Sequence, residues 1–200
     1  MATIGRRELL LLLIGVDAKG TSAGSISGLT RLQKFLFLLE RQGHVVPTGT
    51  GFDFEPYKAG PYSPKLYDDL ELLENLGLIR SEAAAESTPQ ETADINRLSF
   101  EELIGGFEVL SRSEEGFDGV SLTTDSFEER RFALTEAGIK RIQTFLQDEK
   151  YSAVIDGIKK VKSTYSNYSL RDLLHYVYSK YPEMTTESEI IREVMGSHHT

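Results

Sequence analysis

The segment from Ser63 to Ile79 constrains the fold of this chain more than any other part of its sequence. Serine followed by proline is typical of a helix start, because serine caps the first turn and proline costs nothing at the first helical position. Leucines at 66, 70 and 73, with others at 72 and 76, form an apolar face, and Gly77 ends the helix. The strand-like run Leu78–Arg80 follows at once. The sequence therefore predicts a helix that packs by its apolar face and leads directly into a β-strand.

A second strand-like run, Arg130–Thr135, is the natural partner of the first, and together they predict a two-stranded wing behind the helix. Some fifty residues separate the two runs, whereas a hairpin needs only a few. Residues 81–131 carry thirteen acidic and four basic residues, a net charge of −9 that equals the value for the whole chain. We therefore expect one helical domain from residues 1–80 and 130–200, interrupted by an acidic and partly mobile insertion at 81–129.

The rest of the chain is predicted to be mostly helical. Residues 6–16 indicate a short, largely buried first helix, which a connector of small residues follows. Apolar residues at 32, 35, 36 and 39 predict a second helix that is buried on more than one side and ends at Gly43. Capping residues and apolar stripes predict four further helices, which begin near Thr135, Val154, Ser169 and Thr186. The first of these carries the apolar residues Ile139, Ile142, Phe145 and Leu146.

The fold class that follows is mainly α (α+β). The order of elements is helix, helix, turn, helix, strand, long excursion, strand and helix. That order predicts a winged-helix-like core with a small β-sheet, the acidic insertion in its wing, and extra C-terminal helices.

The loop before Ser63 is rich in aromatic residues, glycine and proline. Phe52 and Phe54 alternate in a way that predicts a short strand at Phe52–Glu55. Gly60 and Pro61 predict a tight turn, because proline fixes φ and glycine tolerates backbone conformations that other residues avoid. Tyrosines at 57, 62 and 67 surround this turn. Tyrosine offers a large contact area at low entropic cost, so the loop is either a binding surface or a packed support for the helix.

Composition removes most enzyme classes. The chain has no cysteine, which excludes disulfides, thiolate zinc sites, iron–sulfur clusters and cysteine nucleophiles. No histidine has a second histidine at metal-ligand spacing, and no phosphate-binding loop, dinucleotide fingerprint or nucleophile elbow occurs. The adjacent carboxylates Asp68 and Asp69 would point about 100° apart on a helix, which is the wrong arrangement for a shared acid–base site. We expect a non-enzymatic protein without catalytic residues, metal site or cofactor.

The continuous apolar run near the start of the chain, Leu9–Ile14, is too short for a membrane span. It has six residues, and a membrane-spanning helix needs roughly 20. Arg6 and Arg7 precede the run, as in a signal peptide, but no good cleavage site follows it and no cysteine indicates an oxidising compartment. The sequence predicts a cytoplasmic protein that does not bind a membrane, with a signal peptide as the weaker alternative.

Five motifs follow one another in the sequence: a helix with lysine and leucine, an aromatic-rich strand, a Gly-Pro turn, a Pro-x-Leu-Tyr helix and a return strand. The residues that form them are Leu32, Lys34, Leu36, Phe52, Phe54, Tyr57, Gly60, Pro61, Pro64, Leu66, Tyr67 and Phe132–Leu134. This series is similar to the Panacea antitoxin domain and to its relatives among phage-associated proteins. The resemblance covers residues 28–80 well and 130–180 loosely. It implies a non-enzymatic domain that neutralises a partner toxin by direct binding, or a relative that regulates transcription.

The charge of the helix after Ser63 favours a protein partner over DNA. Residues 63–76 contain one basic residue, Lys65, and four acidic residues, which gives a formal charge of −3. Phosphates on both walls of a DNA groove repel a helix of this sign, so direct readout by it is disfavoured. A basic protein surface, such as that of a toxin or effector, fits the same residues better. The residues expected to contact this partner are Tyr57, Lys58, Gly60, Pro61, Tyr62, Lys65 and Tyr67.

DNA binding through other surfaces stays open as the alternative, in which the chain is a winged-helix transcription regulator of a defence or toxin–antitoxin operon. The residues that would then contact nucleic acid are Arg31, Lys34, Arg41, Lys159, Lys160 and Lys162. No basic-aromatic pattern accompanies these cations in the sequence, so a solvated helix face is the favoured interpretation. The identity of the partner and the formation of a homodimer stay open as well.

Overall fold

A computed structural model describes residues 3–18, 24–47, 49, 51–83 and 130–196. In these ranges the chain is mostly helical. The α-helices are α1 (Arg6–Gly15), α2 (Leu29–Arg41), α3 (Pro64–Asn75), α4 (Glu136–Leu146), α5 (Ser152–Tyr165), α6 (Leu170–Lys180) and α7 (Ile191–Met195). The strands are β1 (Thr3–Ile4), β2 (Ser25–Ser27), β3 (Val46–Pro47), β4 (Glu55–Tyr57), β5 (Gly60–Tyr62), β6 (Ile79–Ala83) and β7 (Arg130–Leu134). The predicted α+β class is confirmed, and from residue 84 onwards the predicted insertion lies outside the described residues.

Helix α1 lies at the centre of the fold. Its six consecutive apolar residues, Leu9–Ile14, are all buried, so the helix is apolar on every side. It packs against α3, α4, α5, β2 and β7. A helix without a polar face has to be surrounded by other elements. The prediction of a largely buried first helix is confirmed.

Helix α2 is buried on several sides, as predicted. Every residue from 32 to 39 is buried, and the helix packs against β2, β5, α5 and α6. The buried run includes Gln33 and Lys34, whose polar groups therefore need hydrogen bonds inside the protein. The helix ends at Arg41, and Gly43 follows with a φ of +69°, a conformation that favours glycine.

The two predicted strands pair, and a third strand joins them. β6 and β7 are antiparallel, in a register that places Ile79 opposite Leu134. β2 pairs with the other edge of β7, so the strand order is β2–β7–β6. The sequence predicted residues 25–27 as part of a connector, because a run of three residues with two serines has no strand pattern. They form a strand because β7, which is distant in sequence, offers them an edge.

The aromatic loop forms a hairpin, but at a different place from the predicted strand and turn. β4 and β5 pair antiparallel around the two-residue loop Lys58-Ala59. The predicted strand at Phe52–Glu55 is wrong, because Asp53 has a φ of +48° and interrupts the extended chain. The predicted turn at Gly60 and Pro61 is wrong as well, since both residues belong to β5.

Helix α3 starts and packs largely as predicted. Pro64 occupies the first helical position, and Leu66, Leu70 and Leu73 are buried. The predicted cap is wrong: the hydroxyl of Ser63 makes no bond to the helix and donates to the backbone carbonyl of Phe52. The preceding loop folds back over the start of the helix and places a buried acceptor beside this hydroxyl.

Two of the three predicted C-terminal caps are present. The hydroxyls of Thr135 and Ser169 each accept a hydrogen bond, at 3.1 Å, from the backbone N–H three residues later. The predicted helix start at Thr186–Glu189 is wrong, because α7 begins at Ile191 and has no side-chain cap. The end of that predicted capping segment pairs instead with Lys58 of the hairpin.

The predicted apolar stripe of α4 is half correct. Ile142 and Phe145 are buried, whereas Ile139 and Leu146 are 46% and 45% exposed. Helix α4 meets α1 and β7 through a narrow face, on which Ile142 lies against Gly15. A face of this width covers only the middle of the stripe.

Lys162 on α5 closes the C-terminal end of α1. Its side chain is 1% exposed, and its ammonium donates to the carbonyls of Leu13 and Val16 at 3.2 and 2.6 Å. The last carbonyls of a helix have no partner within the helix, and a cation beside them also complements the helix dipole. Burial lowers the pKa of Lys162 to about 8, against an opposing effect of Asp17.

The stability of the protein should rise with pH above about 8 because of Lys162. The unfolded chain has the ordinary lysine pKa of 10.5 and the folded chain a value of about 8, so the unfolded chain binds more protons between these values. The free energy of unfolding of the wild type, minus that of Lys162→Met, should increase by on the order of 1 kcal/mol from about pH 8 to pH 9.5. Urea unfolding at several pH values measures this difference. A difference that stays constant or falls contradicts the prediction.

Candidate interaction surfaces

Three tyrosines of the predicted contact set form a stack that joins the hairpin to α3. The ring centroids of Tyr57 and Tyr62 lie 4.8 Å apart, and those of Tyr62 and Tyr67 lie 5.5 Å apart. Tyr62 is only 9% exposed, which corrects its predicted role as an exposed contact residue, because it fills the space between its neighbours. Tyr57 and Tyr67 are half-buried. The stack is therefore a support, and the hydroxyl of Tyr67 at its helix end is buried.

Two helices hold the glycine and proline of the hairpin in place. The carbonyl of Pro61 accepts a hydrogen bond at 3.0 Å from the ammonium of Lys34, which is fully buried on α2. Gly60 has a φ of +85°, and a β-carbon there would lie 2.7 Å from the ring of Tyr178 on α6. Gly60 and Pro61 are both buried. They position the hairpin and offer no surface to a partner, which corrects their predicted role.

The two lysines of the predicted contact set form ion pairs. The ammonium of Lys58 lies 3.1 Å from a carboxylate oxygen of Glu189, whose backbone N–H also donates to the Lys58 carbonyl. Lys65 pairs with Asp53 in the preceding loop. Both pairs are accessible to solvent, so each contributes little to stability. The carboxylate of each pair nevertheless balances the positive charge of its lysine.

Among the acids of α3, Asp69 alone is fully buried. Arg6 donates to its Oδ2 at 2.8 Å and Arg7 to its Oδ1 at 3.0 Å, so α1 and α3 are joined by this carboxylate. The adjacent Asp68 is exposed, in keeping with the angle between neighbouring helix positions. The charge of Asp69 is matched inside the protein and does not belong to its acidic surface.

The exposed face of α3 is acidic and carries no cation. It consists of residues at i, i+4, i+7 and i+11, all exposed: Pro64, Asp68, Glu71 and Asn75. We call these four residues the acidic face of α3. Lys65, the single lysine of the helix, pairs with Asp53 outside this face. The acidic character predicted for the helix is therefore concentrated on its exposed side.

The six cations of the predicted nucleic-acid set divide into two groups. Lys34 and Lys162 are buried and donate to backbone carbonyls, so their predicted contact with phosphate is wrong. Arg31, Arg41, Lys159 and Lys160 have exposed or half-buried side chains. A lysine within an apolar stripe looks the same in sequence whether its head reaches water or lies inside the protein, so the sequence did not separate the two groups.

The structure brings aromatic rings to some of the surface cations, which the sequence interpretation missed. The rings of Tyr165 and Tyr168 lie 5.5 Å apart, and those of Tyr165 and Tyr176 lie 5.0 Å apart. Arg31 of α2 donates to the carbonyl of Tyr168 at 2.9 Å. Five of the nine tyrosines of the chain fall between residues 165 and 181, a density that could have indicated this cluster.

The aromatic cluster continues to the C-terminal end of α2. Lys180 donates to the hydroxyl of Tyr176 at 3.0 Å, and its ammonium lies 5.9 Å from the ring centroid of Tyr181. Tyr181 packs edge-on against Phe37 at 5.0 Å, and the guanidinium of Arg41 lies 5.5 Å from the Phe37 ring. We define the basic-aromatic face as Arg31, Arg41, Tyr168, Tyr176, Lys180 and Tyr181.

Hydrogen bonds orient the tyrosines of this cluster. Burial raises the pKa of Tyr165, whose hydroxyl accepts from Gln42 at 3.0 Å. Burial also tends to raise the pKa of Tyr176, but hydrogen bonds from Lys180 and Tyr165 outweigh it and lower the pKa overall. The hydroxyls are thus engaged with one another and with a cation, which holds the rings in a defined arrangement.

Within the described ranges, no group of three or more histidine or carboxylate side chains is placed to hold a metal ion. None of the helices described there is long and apolar enough to span a membrane. The absence of catalytic residues, metal and cofactor stays a prediction from the sequence.

No protein-family model matches the chain, and no curated protein matches it at a significant level. The resemblance to the Panacea antitoxin domain therefore depends on the motifs in the sequence.

Proposed function

We propose that the core of this protein is a winged-helix-like domain, with α1, α2 and α3 as its helices and β6 and β7 as its wing. The order of elements supports this assignment, since β2 lies between the first two helices and β6 follows the third. The strand order β2–β7–β6 supports it as well, because the return strand lies between the other two. Helix α3 then holds the position of a recognition helix.

We propose that α3 recognises a protein and not duplex DNA. The acidic face of α3 carries this proposal, because it presents the exposed carboxylates of Asp68 and Glu71 and none of its four residues is a cation. In a DNA groove these carboxylates would lie against phosphates, which repel them. Against a basic protein surface the same charges speed association and favour the correct orientation. Tyr57, the half-buried hairpin ring of the tyrosine stack, adds contact area for a partner.

The motif series favours a toxin as the partner. Panacea-type antitoxins neutralise a toxin by direct binding, and the matching residues Gly60 and Pro61 position the hairpin beside α3 in this chain. Neutralisation by contact needs shape and charge at the surface and no reactive group. The proposed function is therefore that of an antitoxin whose partner presents a basic surface to α3.

Reversing the charge of the acidic face should abolish neutralisation without unfolding the protein. Asp68→Lys with Glu71→Lys changes two exposed residues, so the melting temperature should change little. The partner to test is the product of the adjacent gene, co-expressed in bacteria with the wild type or with the variant. The wild type should restore growth and the variant should not, and the affinity between purified proteins should fall by about 10-fold or more.

Asp156→Lys with Glu149→Lys is the matched control, because it makes the same change of charge at two exposed positions outside α3. This control should neutralise the partner as well as the wild type does. Equal rescue by both variants would show that the acidic face is not the contact surface. Failure of the wild type to bind the neighbouring product would contradict the antitoxin function itself.

A further inference from the structure

We propose that the basic-aromatic face binds single-stranded nucleic acid, with bases stacked on its tyrosine rings and phosphates held by its cations. This goes beyond the proposed antitoxin function. It concerns α2, the ends of α5 and α6, and the residues that follow them, whereas the toxin contact concerns α3.

Three tyrosines of this face are accessible to solvent. Tyr168 is 36% exposed, and Tyr176 and Tyr181 are half-buried. Tyr165 supports the rings of Tyr168 and Tyr176, and Phe37 supports that of Tyr181. Rings that are already held in place lose little entropy when a base stacks on them. Stacking on an aromatic ring tolerates any base, so a face of this kind binds a strand with little sequence preference.

The cations of this face lie between and beside the rings. The ammonium of Lys180 lies 5.4 Å from the ring centroid of Tyr176 and 5.9 Å from that of Tyr181. Arg31 reaches the backbone of Tyr168, and Arg41 lies over the ring next to Tyr181. A strand whose bases stack on the tyrosines would bring its phosphates to these cations. Interleaved cations and rings are the combination that single-stranded nucleic acid requires.

Three carboxylates lie close to the three cations of this face. Glu40 precedes Arg41 but accepts a hydrogen bond at 3.0 Å from the backbone N–H of Phe52 and so faces the loop. Asp172 of α6 is engaged with the hydroxyl of Ser169 at 2.7 Å. Glu183 is the carboxylate that acts on Tyr181, alongside the opposing charges of Lys180 and Arg41. Because these carboxylates equal the cations in number, phosphates would be held by contact with individual cations and not by a net positive field.

A single strand fits this face better than a duplex or an acidic peptide. The bases of a duplex are stacked within it and cannot lie on tyrosine rings without being pulled out. The carboxylates of an acidic peptide would contact the cations but would not stack on Tyr168, Tyr176 and Tyr181. The exposed rings therefore distinguish the ligand from other anions.

The experiment uses the full chain and a fluorescein-labelled oligonucleotide of about 12 thymidines, within the length that such surfaces cover. Fluorescence anisotropy should show binding that weakens with salt, with a slope of log K against log [salt] of about −2 for three phosphate contacts. Tyr168→Ala should weaken binding about 10-fold and keep this slope. Arg41→Ala with Lys180→Ala removes two of the three contacts and should weaken binding and reduce the magnitude of the slope by about 1.4.

Lys140→Ala is the matched control, because Lys140 is an exposed cation on α4, away from this face. It should bind like the wild type. A strand of the same length without bases should bind more weakly than the thymidine strand, and Tyr168→Ala should not weaken it further. If Tyr168→Ala lowers the melting temperature, Tyr168→Leu keeps apolar volume against Tyr165 and takes its place in the series.

Four results would overturn the proposal. The first is that the thymidine strand does not bind at about 50 mM salt, and the second is that Lys140→Ala weakens binding as much as the variants of the face do. The third is that the strand without bases binds as tightly as the thymidine strand. The fourth is that a duplex of the same length does so. A face that binds poly-glutamate but not the thymidine strand would be a peptide site, which also contradicts the proposal.

Discussion

Replacing Asp69 by alanine should lower the free energy of unfolding by about 3–5 kcal/mol, measured by urea or thermal unfolding. The carboxylate is fully buried and accepts hydrogen bonds from Arg6 and Arg7 at 2.8 and 3.0 Å. The side chain of Arg6 is only 25% exposed, so without Asp69 its guanidinium would lie partly buried and lose its main counter-charge. The hydrogen bond to Asp69 raises the pKa of Arg6, against the opposing effect of burial, which is consistent with a charge held in place by its partner.

Asp68→Ala is the matched control, because the same residue type stands one position earlier on α3 with an exposed side chain. Its effect should stay within about 0.5 kcal/mol. Asp69→Asn, which keeps the shape and removes the charge, should fall between the two. Equal losses for Asp69→Ala and Asp68→Ala would show that the ion pair contributes nothing beyond a surface interaction. Asp69 is thus expected to contribute to stability, and the adjacent Asp68 to the proposed partner contact.

Gly138→Ala should lower the free energy of unfolding by about 3 kcal/mol. A β-carbon at Gly138 would lie 2.0 Å from the carbonyl oxygen of Leu78, a backbone atom that no side-chain rotation can move. That carbonyl also accepts the backbone N–H of Thr135 at 3.1 Å, so α4 would have to separate from the turn after α3. Helix propensity alone predicts the opposite sign, because alanine stabilises a helix interior by about 1 kcal/mol relative to glycine.

Gly77→Ala is the control for Gly138→Ala. Gly77 has a φ of +65°, and a β-carbon there meets no atom within 4 Å, so only the backbone conformation is strained. Its cost should be about 1 kcal/mol. Urea unfolding of both variants measures the difference. A Gly138→Ala variant as stable as the wild type would show that α4 can shift away from Leu78 at little cost.

Local signals in the sequence were enough for most helices and for the pairing of β6 with β7. The helix that begins at Pro64 has its start, its leucine face and its stop within one short stretch, so its prediction needs nothing distant. Thr135 and Ser169 cap their helices through atoms three residues away. An apolar run without polar interruption, such as Leu9–Ile14, has to be buried wherever it lies.

The errors occurred where a partner distant in sequence competes with a local one. The Ser63 hydroxyl donates a hydrogen bond to the Phe52 carbonyl and does not cap α3. Glu189 forms an ion pair and a backbone hydrogen bond with Lys58 and does not cap the helix that follows it. β2 exists because β7 offers it an edge. In each case the local sequence contained no sign of the distant partner, and a hydrogen bond or ion pair to another segment determined the structure.

Some properties of the candidate surfaces follow from the sequence, and others depend on the tertiary structure. The negative charge of α3 and the tyrosines around the hairpin follow from the sequence alone, because composition does not depend on the fold. Which side of α3 is acidic, whether Tyr62 is buried and where the basic-aromatic face lies depend on how α1, α2, α5 and α6 pack around them. Only the tertiary structure could place Asp69 inside and Asp68 outside, since exposure is decided by the surrounding elements and not by a residue's own chemistry.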